Sequence, residues 1–319
     1  MQTPRISIVI VNFNTSRLLR SCLESIYAGA NGVPFEIWVV DNDSCDGSVA
    51  AVRSLFPSVR VIANRSNVGF SRANNLAISR SRSEYVLLLN PDTRVISDAV
   101  ERVMRYMEGR PEVGIAGCKV LNTDGTLQMA CRRSIPTPRT AFFRLIGLSR
   151  LFPNSRTLAK YNLSYLDADQ TCEVGAVSGA FLMIRRQTVR NIGLLDERFF
   201  MYGEELDWCL RARQAGWKVM YYPAATIIHH KGGSTIHNTR KAAFEFYRAM
   251  YLFHRKHYAG RHSPITNSLV YAGIFCAGLL AWRKLLLPPK APLQETAVTD
   301  GESPLVVETT QAEVGPGRG

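Results

Sequence analysis

Glu36-Ile37-Trp38-Val39-Val40-Asp41-Asn42-Asp43-Ser44-Cys45-Asp46-Gly47 joins a short apolar run to a cluster of carboxylates, an amide and a glycine. The apolar half, Glu36–Asp41, reads as a strand covered on both faces. In the polar half, Asp46 and Ser44 are placed to cap a following helix over Gly47–Phe56. The same unit recurs on either side. Strand-like runs Ile6–Val11, Val59–Ala63 and Tyr85–Asn90 alternate with amphipathic stretches Ser16–Tyr27 and Ser71–Arg82. That alternation predicts βαβ units: an α/β, Rossmann-like fold with a mostly parallel central sheet and helices on both faces. Ligands of such sheets bind beyond the carboxyl ends of the strands. Polar turns fall there in each case, at Asn12–Asn14, Asp41–Asp46, Asn64–Asn67 and Asn90–Asp92. Four polar turns on one rim predict a binding site.

The stretch from about Asn122 to Thr171 is less regular and basic. Arg132, Arg133, Arg139, Arg144, Arg150, Arg156 and Lys160 are interleaved there with Phe142, Phe143, Phe152 and Tyr161. Val174–Ile184 then reads as a strand, Glu204–Ala215 as a helix stopped by Gly216, and Lys218–Tyr222 and Thr226–His229 as short strands. Lys241–His257 is a long amphipathic helix. From Leu269 to Trp282 there are 14 apolar or small residues. That is about 21 Å of helix against a hydrocarbon core of about 30 Å, and Arg283 and Lys284 follow. This pattern favours a helix lying in or shallowly inserted into a membrane over a clean span.

The net charge is +13. The segment 291–319 carries Glu295, Asp300, Glu302, Glu308 and Glu313 against Arg318, so residues 1–290 hold about +17. Such a body attracts anionic lipid, phosphorylated substrates or nucleic acid. No zinc-finger spacing or other nucleic-acid motif accompanies the charge, so nucleic acid is not the expected partner, and a basic nucleic-acid-binding protein stays as an alternative. Seven cysteines without a Cys-x-x-Cys pair point to a reducing cytoplasm rather than to a disulfide framework. The N-terminal apolar run is too short for a signal peptide.

Five motifs carry a family resemblance. Val39–Ser48 resembles the nucleotide-binding turn of the family-two inverting glycosyltransferases of GT-A fold, and Asn67-Val68-Gly69-Phe70-Ser71-Arg72-Ala73-Asn74-Asn75 is similar to their next motif. Leu88-Leu89-Asn90-Pro91-Asp92-Thr93 resembles the metal-binding turn of the branch that includes many bacterial rhamnosyltransferases. Phe199–Arg211, with Gly203-Glu204-Glu205-Leu206-Asp207, looks like the catalytic-base helix. His229-His230-Lys231-Gly232-Gly233-Ser234 looks like the closing His-x-x-Gly-x-Ser element. The five stand in family order over residues 5–240.

The resemblance implies a GT-A domain in two halves, residues 1–120 for the nucleotide sugar and 121–260 for acceptor and catalysis. A membrane helix over 261–290 and a disordered acidic tail over 291–319 complete the expected organisation. It implies an inverting transfer, assisted by Mg²⁺ or Mn²⁺, of a sugar from a nucleotide diphosphate. It leans toward L-rhamnose from dTDP-rhamnose and a glycan or polyprenyl-diphosphate-linked acceptor at the inner face of the cytoplasmic membrane. Asn12, Asn14, Asp41, Asp43, Asn67, Gly69, Arg72, Asn75 and Asn90 are the implied donor contacts. Asp92 and His229 are the metal candidates, with His230 as the neighbouring alternative. Inversion needs one carboxylate to deprotonate the acceptor hydroxyl. By the match it is Glu205, with Glu204 as runner-up and Asp207 beside them. Most relatives have Asp-x-Asp at the metal turn and Asp at the base. This chain has Asn90 and Glu205 there, so a donor-binding protein without transfer activity is the alternative from another class.

Overall fold

The computed structural model describes residues 3–29, 32–230 and 239–286. Its strands are β1 (Ile6–Asn12), β2 (Phe35–Asp41), β3 (Arg60–Ala63), β4 (Tyr85–Leu89), β5 (Thr93–Val95), β6 (Val113–Leu121), β7 (Arg132–Arg133), β8 (Cys172–Glu173), β9 (Ala176–Val177), β10 (Phe181–Arg185) and β11 (Lys218–His229). Its α-helices are α1 (Ser16–Gly29), α2 (Ser48–Leu55), α3 (Phe70–Arg80), α4 (Ala99–Glu108), α5 (Pro138–Leu145), α6 (Leu148–Leu151), α7 (Arg186–Ile192), α8 (Glu204–Gln214), α9 (Thr239–His257) and α10 (Pro264–Leu286).

The central sheet runs β3-β2-β1-β4-β10-β6-β11-β5, with β8 also pairing β11. The first four strands of that order are mutually parallel, as are β6 and β11, and β10 is antiparallel between β4 and β6. Every residue of β1 and β4 is buried, as strands covered on both faces must be. Register then decides the site. Asn12 pairs with Asp41 across β1 and β2, and Ile10 pairs with Leu89 across β1 and β4. Asp41 also pairs with Ala63 across β2 and β3, so the four polar turns leave the sheet at one edge, as the sequence predicts.

The second half departs from expectation in three places. The strand expected over Val174–Ile184 is broken into β9 and β10, because Ser178-Gly179-Ala180 turns out of the ladder. The two short strands expected over 218–229 form one, β11, with a bulge between Tyr222 and Thr226. The apolar C-terminal helix is longer than its apolar run. It begins at Pro264, whose fixed φ suits a first helical turn, and it spans 23 residues, about 34 Å.

Between Pro264 and Arg283 the mean hydropathy is 1.5 and none of the window is buried. One side of α10 nevertheless rests on α9. Tyr271 lies 5.0 Å from Tyr251, and Asn267 Oδ1 is 2.8 Å from His254 Nε2. Ile265, Leu269, Phe275, Leu279 and Leu280 are exposed. The acidic segment 291–319 and the end of the expected membrane helix lie outside the described residues.

Candidate active site

The donor-side rim is a network of short side chains that satisfy one another. Asp41 is buried at the end of β2. Its Oδ2 accepts from Asn12 Nδ2 at 2.7 Å and its Oδ1 from the Ser44 amide at 2.9 Å. Asn14, in the left-handed region at φ 53°, accepts from the Cys45 amide at 2.9 Å. Asp43 is exposed at the tip, at φ 70°. Asp46 caps two helices: its carboxylate accepts from the Ser16 amide at 2.7 Å and the Ser48 amide at 3.1 Å. Burial alone would raise its pKa. The hydrogen bonds from Ser48 and Ser16 outweigh that and hold it below the usual carboxylate range.

The second motif is bolted to the base-helix segment. Gly69 adopts φ 88°, and a Cβ there would lie 2.7 Å from the Phe200 carbonyl oxygen, so only glycine fits. The Phe70 amide donates to that oxygen at 2.6 Å, and Ser71 Oγ donates to the Phe199 carbonyl at 2.6 Å. Asn67 Oδ1 accepts from the Gly69 amide at 3.0 Å. Asn75 was expected at the donor. Its amide is buried and engaged with the Leu195 backbone in both directions, at 2.9 and 3.1 Å. Arg72 is 61% exposed and its nearest acid, Glu197, is 3.9 Å away, so its guanidinium is free to meet a ligand.

Asp92 and His229 meet although 137 residues separate them. The register of β5 with β11 sets Thr93 against His229. Asp92 Oδ1 then lies 3.1 Å from His229 Nε2, with Asn90 Nδ2 3.3 Å from the same nitrogen. Gln128 was absent from the sequence reading. Its Nε2 donates to the His229 carbonyl at 2.8 Å, so its Oε1 faces His229 Nδ1 at 3.0 Å. A carbonyl oxygen can only accept, which fixes the amide orientation and puts the ring proton on Nδ1. In the neutral ring Nε2 then carries a lone pair that faces a carboxylate oxygen. Two acceptors face to face suit a divalent cation, and an outer carbonyl holding the other ring nitrogen is the usual support of a histidine ligand. Among the described residues no cluster of three or more His, Cys, Asp or Glu side chains could hold a metal. The pair would therefore need oxygens from a ligand, as Mg²⁺ and Mn²⁺ commonly take from a diphosphate. His230 is exposed and meets Asp92 only through its backbone amide, at 2.8 Å.

On α8 three carboxylates part company. Glu205 is buried and pairs with Arg133 at 2.7 Å through Oε1, while its Oε2 has no partner among the described residues. Burial opposes the Arg133 charge. The Glu205 carboxylate more than offsets it, so the guanidinium stays above its ordinary range. Glu204 is buried with one oxygen also unpartnered. Burial, reinforced by the charge on Glu205, holds it well above the usual carboxylate range.

Asp207, grouped with these two in the sequence reading, is placed elsewhere. It is fully buried and bound by Arg211 Nε at 2.8 Å, His257 Nε2 at 2.7 Å and Lys256 Nζ at 2.6 Å. Burial would raise its pKa, but His257, Arg211 and Lys256 together lower it. Asp207 clamps α8 to the end of α9 and has no oxygen to spare for a substrate.

Glu205 and the metal turn are neighbours. A Cβ built on Gly179 would sit 3.8 Å from the Glu205 Cβ, and the adjacent Ala180 carbonyl accepts from the Asn90 amide at 3.1 Å. The break between β9 and β10 thus brings α8 against the end of β4. A buried carboxylate with one oxygen paired to an arginine and the other without a partner among the described residues thus stands near an acid–histidine pair suited to a cation.

Known proteins resemble this chain in sequence and in fold. The chain is 26% identical over 272 residues, 82% of its length and 86% of the relative's, to N-acetylglucosaminyl-diphospho-decaprenol L-rhamnosyltransferase of Mycobacterium tuberculosis. It is 28% identical to the low-salt glycan biosynthesis hexosyltransferase Agl10 of Haloferax volcanii, covering 83% and 78% of the two chains. With rhamnosyltransferase WbbL of Escherichia coli it shares 25% over 51% of this chain and 61% of that one. In fold it is similar to the Pyrobaculum calidifontis mannosyltransferase PcManGT in complex with GDP-Man and Mn²⁺, with a TM-score of 0.55, 16% identity, and 91% and 78% coverage. Residues 7–193 match the family model for glycosyl transferase family 2, which is more than half of the chain, and the protein belongs to that family and is a glycosyltransferase.

Proposed function

We propose that the protein transfers a sugar with inversion, L-rhamnose from dTDP-rhamnose, onto an N-acetylglucosamine-type acceptor linked through diphosphate to a polyprenol, at the inner face of the cytoplasmic membrane. The observation that carries the chemistry is Glu205. It is buried, held by Arg133 through one oxygen with the other left without a partner among the described residues, and its side-chain stem lies beside Gly179, next to the Ala180 carbonyl that holds the Asn90 amide. The sugar and acceptor rest on the relatives named above, and the setting on the exposed apolar face of α10.

In this reading the donor diphosphate lies by Asp92 and His229, and the rim from Asn12 to Asp43 with Asn67, Gly69 and Arg72 cradles the nucleoside and phosphates. Asp92 and His229 would hold a divalent cation there, which would supply positive charge to the departing diphosphate. Glu205 Oε2 takes the proton of the acceptor hydroxyl as its oxygen forms a bond to the anomeric carbon. The bond from that carbon to the diphosphate breaks on the opposite side, and the electron pair leaves with the nucleoside diphosphate. Arg133 holds one Glu205 oxygen and fixes which of the two is free.

The test separates the two glutamates. Glu205→Gln keeps the size and polarity but cannot take the proton, so turnover should fall at least about 10²-fold with donor affinity unchanged. Glu204→Gln should stay within severalfold of the parent. Normal turnover in Glu205→Gln with a dead Glu204→Gln would move the base by one residue.

A further inference from the structure

The chain between Gly125 and Leu166 has no Asp or Glu and seven Arg or Lys. Two of the seven point inward. Arg132 donates to the Leu166 carbonyl at 2.6 Å, and Arg133 holds Glu205. The other five, Arg139, Arg144, Arg150, Arg156 and Lys160, are exposed. None of them takes part in an ion pair among the described residues. Threaded between them, Phe142, Ile146, Leu151 and Phe152 are 55%, 49%, 72% and 52% exposed.

These apolar residues lie in a part of the chain whose base is fixed. The Ser134 amide donates to the Tyr161 carbonyl at 2.9 Å, closing the excursion, and Arg144 lies 4.6 Å over the Tyr161 ring. Thr137 and Thr140 form a capping box with Pro138 in the first turn, so α5 begins at a defined place. A well-anchored strip that shows water both large apolar groups and uncompensated arginines matches no core and no acidic partner among the described residues. It matches the charge and polarity gradient of an anionic leaflet, with guanidinium groups at the phosphates and Phe, Ile and Leu below them.

We propose that residues 138–152, α5 through Phe152, form a second membrane-docking surface that seats on an anionic leaflet independently of α10. Its position gives the contact a use. β7 lies four residues before the cap of α5 and presents Arg133 to Glu205, so docking this surface brings the base's holder beside the plane from which a lipid-linked acceptor rises.

Backbone hydrogen exchange on the full-length protein tests this with two kinds of vesicle, phosphatidylglycerol mixed into phosphatidylcholine and phosphatidylcholine alone. Amides in 138–152 should gain protection on the anionic vesicles only. The triple variant R139Q/R144Q/R150Q should lose it and bind those vesicles about ten- to a hundredfold more weakly. L151S/F152S should lose protection there while keeping all charges. Donor binding measured in solution should be unchanged in both variants, which separates this proposal from the catalytic reading. Protection of α10 alone, with 138–152 exchanging as in buffer, would overturn it. So would protection of 138–152 by inorganic pyrophosphate without vesicles, which would indicate a phosphate site, or by raised protein concentration, which would indicate a second copy. Protection of 138–152 without α10 would uphold it and remove α10 from the membrane.

Discussion

The donor rim and the base segment are built on opposite principles. At the rim, Asn12, Asp41, Ser44, Asn42 and Asn67 bond one another and the backbone, and the turns they hold are complete without a ligand. Around α8, Arg133 Nε, Glu204 Oε2 and Glu205 Oε2 are buried with no partner among the described residues. An unmet buried polar atom costs roughly 1–3 kcal/mol, more when charged. The rim is thus a cradle made stable in advance. The segment around α8 holds buried polar groups at the expense of stability, and in the proposed function substrate is what would complete it.

That contrast is open to attack at three points. The largest effect should come from Asp92→Ala. Its loss should lower transfer by at least about 10²-fold and abolish the Mn²⁺ dependence of donor binding, with the thermal transition little changed. Donor binding that still tightens with Mn²⁺ in this variant would remove Asp92 from the site.

Asp207→Ala should act on the fold instead. Removing one partner of a buried ionic cluster costs about 3–5 kcal/mol, read as a lower Tm, while donor affinity holds. The same residue sets an acid limit. Asp207 and Asp196 are both held below the ordinary carboxylate range, Asp196 by hydrogen bonds from Arg198 and then Lys256 against a burial cost. Their contribution to stability is complete above about pH 4–5 and is lost as pH falls toward their folded-state values. Stability in the Asp207 variant should therefore fall less steeply with acid than in the parent. An equal slope would mean that Asp207 is not the group being protonated. The smallest effect belongs to Arg72→Ala. A mostly exposed side chain should leave Tm within about 0.5 kcal/mol equivalent and weaken donor binding severalfold. Unchanged affinity would return Arg72 to the solvated surface of α3.

The parallel half was legible because its strands are continuous apolar runs and its turns carry residues that few other places require. β5, α4 and β6, between Thr93 and Leu121, were passed over. Val113-Gly114-Ile115-Ala116-Gly117-Cys118 is diluted with small residues, which fit there because Trp217 and Val177 pack against the two glycines. The break at Ser178-Gly179-Ala180 was hidden because the residues around it are as apolar as a strand interior. Gln128 and Arg133 could be found only through tertiary pairing. Glutamine has no motif spacing to His229, and Arg133 stood among six other basic residues. Asp207 was misplaced for a simpler reason. It shares a helical turn with Glu204, but the Arg211 four residues on was a visible sign of an i,i+4 partner.

The clamp around Asp207 has a further mechanical meaning. Glu205 rides on α8; α8 is fastened to α9 by Asp207 through Lys256 and His257; α9 is fastened to α10 by His254 and Asn267. If α10 lies in the lipid, those fasteners set the elevation of the Glu205 carboxylate above it as a fixed dimension of the protein. An acceptor hydroxyl would then be selected by the length of the stalk that lifts it from the bilayer, and a stalk one sugar too long or too short would present its hydroxyl at the wrong height.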